Sequence, residues 1–177
     1  MEFIYKLPYT LTVDWRLHTF YFKIVHQIFA CKYNLHIWRK SDNNRCEHCE
    51  NNCIDNLFHY FVDCPKLAVF WDAVFEFYKS SFGISMPLDR VEILFGILNF
   101  NNDKMLHCLN FILLTGKFFI YNCKSQSMEI VFIAYCKLLR SLLETKQYIM
   151  YKNGKCNEFD AIWSPLLLSL KSLTPCT

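Results

Sequence analysis

The sequence predicts an all-α fold: a single multi-helix domain with a Cys- and His-containing knuckle between the first long helix and the rest. Three observations favour this class. Apolar residues make up 53% of the 177 residues, and seventeen residues are Phe, so the chain can bury a sizeable core. Only four Gly and five Pro occur, too few for a many-turned sandwich. Apolar residues also recur at intervals of three and four along several stretches.

Before the knuckle, the sequence predicts a lead-in, one long helix and a loop. Pro8 lies near the middle of the first thirteen residues, which we expect to be extended. Asp14 suits the N-cap of the next helix, whose apolar residues from Leu17 to Phe29 have helical spacing. In chain order, the predicted elements are an extended lead-in over 1–13, a helix over 15–31, a short helical turn over 34–38 and a polar loop over 39–45, so that 14–45 form a basic helix and loop.

After the knuckle, the pattern stays helical, and we expect residues 72–177 to form a helical bundle. Pro65 suits a first helical position, where an N–H group is not needed. Asn101, Asn102 and Asp103 mark the start of a helix that is apolar on most sides, which is typical of a central helix. In chain order, the predicted helices cover residues 54–62, 66–80, 89–96, 104–124, 128–152 and 160–172. The last begins at Asp160 or in the polar stretch before it, with Pro165 as a kink or a new start.

Residues 46–71 contain the strongest chemical signal in the chain. Cys46 and Cys49 form a C-x2-C knuckle, and His59 and Cys64 follow as a second close pair. A closed tetrahedral zinc site needs four nitrogen or sulfur ligands, and the C-x2-C turn lets two sulfurs face one ion. We therefore predict a structural Zn²⁺ bound by these four residues, in a CCHC knuckle over residues 46–71.

Two alternatives to this ligand set stay open. Cys53 lies four residues after Cys49 and could replace one of the four ligands. The chain has ten Cys, so a C-x2-C pair can also arise by chance among ordinary reduced cysteines of a core. His48 lies inside the knuckle, and we expect its side chain to point away from the ion.

The first residues of the chain and its cysteines indicate the cellular compartment in which we expect the protein. Glu2 and Pro8 interrupt the first ten residues, so we expect no signal peptide. No Asn-x-Ser/Thr sequon occurs. The most apolar run, residues 111–121, is about half the length of a membrane span and contains Lys117. We therefore expect an intracellular, reducing compartment, with no membrane partner and no disulfide framework.

The knuckle belongs to a longer pattern: C-x2-C, then an acidic and a polar residue shortly before a His, then His-x4-Cys-Pro, and a Trp seven residues after that Cys. Its members here are Cys46, Cys49, Asp55, Asn56, His59, Cys64, Pro65 and Trp71. The pattern resembles the zinc-binding domain found C-terminal to the polymerase in non-LTR (LINE-type) retrotransposon reverse transcriptases. Residues 15–35, 94–96 and 109–124 resemble the family's flanking segments, so the resemblance covers roughly residues 14–165. The family usually has Glu-Thr in place of Asp55-Asn56, and Cys53 is atypical.

The resemblance implies a non-catalytic domain that assists RNA or DNA binding during target-primed reverse transcription. Its partners would be nucleic acid and an upstream reverse transcriptase domain, from which this chain would be a detached part. We expect no enzymatic activity in the chain itself, because it contains no adjacent Asp pair, no Gly-rich phosphate loop and no Ser/His/Asp spacing.

Charge is unevenly distributed along the chain. Residues 1–45 carry a net charge of +4, residues 46–103 carry −6 and residues 104–177 carry +5. A zinc ion with three thiolates would add about −1, so the knuckle itself lacks the cation density on which nucleic-acid affinity depends. We therefore expect phosphate contacts to come from the basic flanks.

The best candidates for nucleic-acid contact lie in one polar loop. Arg39, Lys40 and Arg45 cluster there, and the ring of Trp38 can stack on a base. The other flanking cations are Arg16, Lys23, Lys32, Lys117, Lys124, Lys137, Arg140, Lys146, Lys152 and Lys155. The alternative function is a zinc-stabilised helical scaffold that contacts protein and does not bind nucleic acid.

Overall fold

A computed structural model describes residues 2–85, 87–98 and 103–173. Within these ranges it contains nine α-helices and no β-strand, which confirms the all-α class. The α-helices are α1 (Glu2–Leu11), α2 (Trp15–Val25), α3 (Lys32–Ile37), α4 (Ala68–Phe82), α5 (Arg90–Phe95), α6 (Lys104–Ser125), α7 (Phe132–Lys152), α8 (Cys156–Ile162) and α9 (Ser164–Leu173). A π-helical turn (His59–Asp63) and a 3₁₀ turn (Pro65–Leu67) precede α4.

The helix α1 shows that the prediction of an extended lead-in over residues 1–13 was wrong. Pro8 lies inside this helix, where it lacks an N–H and its ring crowds the carbonyl of the preceding turn. Leu7 and Leu11 are both buried, and α1 packs against α2 and α6. Burial of this apolar face offsets the local cost of the proline, and such a tertiary contribution is not visible in a short sequence window.

The helix α2 begins as predicted and ends earlier. Asp14 is its N-cap and accepts a hydrogen bond from the backbone N–H of Arg16 at 2.9 Å. The helix ends at Val25, and Gln27 adopts a left-handed conformation with φ 55°, which turns the chain before the expected end at residue 31. The helix α3 then starts two residues before the predicted start at Asn34.

The later helix boundaries agree with the capping signals in most places. Asp89 and Glu92 form a reciprocal capping box at the start of α5. Asp103 caps α6, as predicted, whereas Asn101 and Asn102 lie outside the described residues. The final segment begins at Cys156, in the polar stretch before Asp160, and it restarts at Ser164 beside Pro165, as one of the two alternatives for that proline predicted.

The helix α6 is the centre of the fold. Every residue from Cys108 to Lys117 is buried, and α6 packs against α1, α2, α5, α7 and α8. Gly116 allows close packing against α4, because a Cβ added there would lie 3.1 Å from the indole of Trp71. Trp71 in turn donates its indole N–H to the carbonyl oxygen of Phe61 at 2.8 Å. The central helices thereby position the π-helical turn.

The apolar run over residues 111–121 is a core element, and several cysteines are buried in the core as well. The nine cysteines in the described part of the chain are all free thiols. Lys117 is buried within the apolar run, where its Nζ donates to the carbonyl oxygens of Ile93 and Leu94, each at 2.7 Å. Among the described helices, none combines the length and the hydropathy that a membrane crossing requires.

Candidate metal centre

The structure brings the four predicted ligands together. One ligand atom from each of Cys46, Cys49, His59 and Cys64 lies within 4.8 Å of all the others. Three of these residues are buried, and Cys49 is partly exposed. Three sulfurs and one imidazole nitrogen at this separation form a compact set that can hold a metal ion.

The distances fit a tetrahedral ion. Zn–S bonds of about 2.3 Å and Zn–N bonds of about 2.0–2.1 Å would place a ligand sulfur and a ligand nitrogen about 3.6 Å apart. Cys49 Sγ and His59 Nε2 are 3.5 Å apart. Two sulfurs on such an ion would be about 3.8 Å apart, so the widest pairs need to close by about 1 Å at most, which side-chain rotation can supply.

A short antiparallel pairing closes the loop that carries the first two cysteines. An isolated bridge pairs Arg45 with Ile54, and the backbone N–H of Cys46 donates to the carbonyl oxygen of Cys53 at 2.9 Å. Asn52 turns the chain with φ 49°, a conformation that Asn tolerates better than most residues. This pairing fixes the direction in which Cys46 and Cys49 leave the loop.

The second pair of ligands lies at the two ends of the π-helical turn. His59 opens this turn, and its backbone N–H donates to Asn56 Oδ1 at 3.0 Å. Cys64 follows the turn in an extended conformation, which is the conformation that Pro65 favours for the residue before it. The sequence predicts an α-helix over residues 54–62, whereas the structure has a π-helical turn from His59 onward. Turns of this kind are frequent at functional sites.

Burial and backbone N–H groups have opposite effects on the pKa values of the thiols. Burial raises the pKa of Cys46, and the N–H of His48, which lies 3.4 Å from Cys46 Sγ, acts in the other direction. Burial raises the pKa of Cys64 to about 12. Burial also opposes ionisation of Cys49, but backbone N–H groups and neighbouring thiols outweigh it and lower its pKa. A divalent ion would bind these thiols by displacing their protons.

A buried ammonium lies close to the π-helical turn. Lys124, in the last turn of α6, donates from Nζ to the carbonyl oxygen of Tyr60 at 2.7 Å, and the same Nζ lies 4.2 Å from the centroid of the Tyr60 ring. Burial lowers the pKa of Lys124, while the negative charge of Cys64 and Asp55 opposes this effect. A positive charge here would balance the net −1 of a divalent ion bound by three thiolates and a neutral imidazole.

Asp55 is a buried carboxylate beside the same cluster. Its Oδ2 accepts a hydrogen bond from the backbone N–H of Lys32 at 3.1 Å, which connects the start of α3 to the knuckle. Its Oδ1 is buried and has no hydrogen-bond partner among the described residues. Burial lowers the pKa of His59, and the charge of Asp55 acts in the opposite direction.

Cys53 and His48 lie near the cluster without belonging to it. The thiol of Cys53 is not among the four mutually close ligand atoms, and its Sγ lies 3.8 Å from the carbonyl oxygen of Asn51. The backbone carbonyl of Cys53 accepts the N–H of Cys46, and its thiol interacts with the thiol of Cys49. His48 is exposed and is not among the four ligands, and its backbone N–H donates to Cys46 Sγ.

The predicted nucleic-acid contacts lie on the surface after α3. Trp38, Arg39 and Lys40 are exposed. Arg45 is exposed as well, but its guanidinium donates to the carbonyl oxygen of Asn52 at 2.9 Å and so braces the knuckle loop. The structure leaves the first three side chains available to a ligand.

Two of the flanking cations named above cannot contact phosphate, because Lys117 and Lys124 are buried. The prediction from the sequence placed both among the surface cations, because a lysine in a helix normally faces water. The signal that could have found them is their position in an otherwise apolar helix, where no polar face exists to receive them.

No protein-family model, no curated protein and no solved structure matches the chain. The resemblance to LINE-type zinc-binding domains therefore depends on the motif residues alone and stays a prediction. The metal-centre geometry does not depend on it.

Proposed function

We propose that this chain is a non-catalytic zinc-binding domain of the LINE-type reverse transcriptase kind, which assists the binding of RNA or DNA. The observation that carries the proposal is the compact Cys46, Cys49, His59 and Cys64 set. Three thiolates and one imidazole are soft and borderline donors that suit Zn²⁺ better than Mg²⁺ or Ca²⁺.

The ion would have a structural role. Four protein ligands complete a tetrahedral shell and leave no open position for a reacting water. The ion would join the loop of Cys46 and Cys49 to the π-helical turn. Metal binding contributes about 10–16 kcal/mol to the folding of small zinc peptides. We expect a smaller share here, because the helices bury a large core of their own.

The basic flanks support the nucleic-acid part of the proposal. Residues 15–41 contain five Lys or Arg and no Asp or Glu. Neutralising phosphates with such cations releases counterions and supplies most of the affinity for nucleic acid. The knuckle would orient this basic segment, since Asp55 connects α3 to the loop that follows.

A second candidate function is a zinc-stabilised scaffold that contacts protein. The observation that favours it is the net charge of −6 over residues 46–103, which includes the exposed Glu47 and Glu50 beside the metal ligands. An acidic surface repels nucleic acid and suits a basic protein partner.

Titration with Co²⁺ and Zn²⁺ tests the metal site. We expect one tetrahedral Co²⁺ per chain, with thiolate charge-transfer absorption that Zn²⁺ abolishes. Cys64→Ser should remove this spectrum. The matched control is Cys53→Ser, which removes a neighbouring thiol and should leave stoichiometry and spectrum unchanged. Loss of the spectrum in the control would assign Cys53 to the ligand set, and no binding by the parent chain would refute the site.

Filter binding tests the nucleic-acid function. The zinc-loaded chain is titrated with structured RNA and with duplex DNA at several salt concentrations. We expect an affinity that falls with salt and decreases when Arg39, Lys40 and Arg45 are replaced by Ala. The same replacement of Lys79, on α4 in the acidic part of the chain, is the control. The absence of binding at low salt would refute this function and favour the protein scaffold.

A further inference from the structure

A cleft of about 320 Å³ opens between α2 and the C-terminal half of α6. Its floor is an aromatic cluster: the ring of Phe20 lies 5.3 Å from that of Phe118 and 5.7 Å from that of Tyr121, measured between centroids. Trp15 stands at the rim with 71% of its surface exposed. Buried aromatic floors are ordinary core features, whereas the exposed indole offers a ring face on which a flat ligand group can stack.

A second cavity adjoins the cleft near the first turn of α2. This cavity of about 530 Å³ shares Arg16, Phe118 and Asn122 with the first and continues along α6 as far as Gln126. The two cavities are adjacent, and we call them together the α2–α6 groove. A ligand that occupied both would extend along α6.

The charged side chains that line the α2–α6 groove are cations, and the carboxylate of Asp14, next to the lining in the chain, is paired with one of them. Residues 15–41, which include α2, and residues 104–128, which include α6, contain no Asp or Glu. The side chains lining both cavities include Arg16 and Lys23 and no carboxylate. Arg16 is paired at 2.7 Å with Asp14, which lies outside the lining, and Lys23 is exposed. Lys23 therefore supplies most of the attraction for an anionic ligand, because Asp14 offsets the charge of Arg16.

We propose that the α2–α6 groove binds a single strand of RNA or DNA, with a base stacked on Trp15 and the backbone phosphates beside Lys23 and Arg16. The proposal rests on the nucleic-acid function proposed above and moves its principal contact away from the loop after α3. Aromatic faces combined with a cationic groove are the common solution for single strands, because every base has a π face. A duplex keeps its bases stacked inside and cannot use Trp15 in this way.

Protein interfaces are also rich in exposed Trp and Arg. The choice of a nucleic acid over a protein as the ligand therefore depends on the absence of carboxylates from the groove lining. A protein interface of mixed charge would place acidic side chains among the cations of the groove. Thr19 and Asn122 add neutral hydrogen-bonding groups to the lining, which suit phosphate, sugar or base equally. The whole set is consistent with a polyanion that carries flat rings.

Tryptophan fluorescence distinguishes the groove from the loop. The exposed tryptophans are Trp15 in the groove and Trp38 before the loop, while Trp71 and Trp163 are buried. The full chain is titrated at low salt with single-stranded oligo(U) and oligo(dT). We expect strong quenching in Trp38→Phe, which keeps the groove reporter, and weak quenching in Trp15→Phe. The opposite pattern would overturn the groove in favour of the loop.

Two further variants measure stacking and charge. Trp15→Ala should weaken oligonucleotide binding about 5- to 150-fold, the range expected for one stacked base, and its exposed position makes misfolding a minor concern. Lys23→Gln should reduce the slope of log affinity against log salt by about 0.7, as one lost phosphate contact does for a single strand. Lys79→Gln, outside the lining of both cavities, should leave the slope unchanged.

The outcomes separate this inference from the proposed function. If oligonucleotides bind but Trp15→Ala and Lys23→Gln bind as the parent does, the groove assignment is wrong and the nucleic-acid function stands. If neither single strands nor duplexes bind at low salt, both are refuted, and Trp15 would mark a surface for protein contact. Circular dichroism of each variant confirms that the helices are intact.

Discussion

Replacing Trp71 with Phe should weaken metal binding as well as the fold. The indole N–H donates to the carbonyl oxygen of Phe61 at 2.8 Å, and Phe61 lies inside the π-helical turn that begins with His59. The indole also packs against Gly116 of α6. Trp71 therefore connects the π-helical turn, which begins with the predicted ligand His59, to the central helix α6.

The magnitude follows from these contacts. A buried carbonyl that loses its donor costs about 1–3 kcal/mol. The smaller ring leaves a gap on the Gly116 side, which adds about 1 kcal/mol. We expect Trp71→Phe to lower the free energy of unfolding by about 2–4 kcal/mol. Loosening of the segment that positions His59 should lower metal affinity about 10- to 100-fold, as loss of supporting contacts around metal ligands does.

Urea unfolding followed by circular dichroism measures stability, with and without zinc, and competition with a chelator measures metal affinity. Trp163→Phe is the matched control. Trp163 is as buried as Trp71 but lies at the junction of α8 and α9, where it packs on Phe111. This control should lose stability and keep its metal affinity. Equal metal affinities in the two variants would refute the link between Trp71 and the site.

Two other lysine variants test the buried charges. Lys124→Met removes the ammonium that contacts Tyr60, so a zinc ion with three thiolates would lose a compensating charge. We therefore expect this variant to bind the metal more weakly in chelator competition. Lys137→Met, which replaces an exposed lysine of α7, is the control and should bind the metal as the parent does. Burial lowers the pKa of Lys117 from 10.5 to about 7. The folded chain then binds fewer protons than the unfolded chain between these values, so the free energy of unfolding should rise with pH by up to about 1.4 kcal/mol per pH unit. Lys117→Met should flatten this rise in urea unfolding from about pH 7 to about pH 9, and an equal rise in both proteins would contradict the assignment.

The sequence predicted the elements whose signals are local. Asp14, Asp89 and Asp103 each cap a helix as their side chains suggest, because a carboxylate satisfies the free N–H groups of a first turn wherever it occurs. The four metal ligands were found for a similar reason. Their spacing is a property of a short stretch of chain, and the structure brings them together.

The elements that the sequence did not predict depend on distant contacts. The helix α1 forms in spite of Pro8 because Leu7 and Leu11 are buried against other helices. Lys124 supports the site from 60 residues beyond Cys64 in the chain, through a hydrogen bond to Tyr60. Nothing in the local pattern of α6 indicates which carbonyl its terminal lysine will reach.

The four ligands occupy a single stretch of nineteen residues, from Cys46 to Cys64. Closing so short a loop costs little chain entropy compared with docking α6 and α7. Metal binding at these four residues would therefore precede the docking of α6 and α7, and those helices would pack on a loop whose shape is already set.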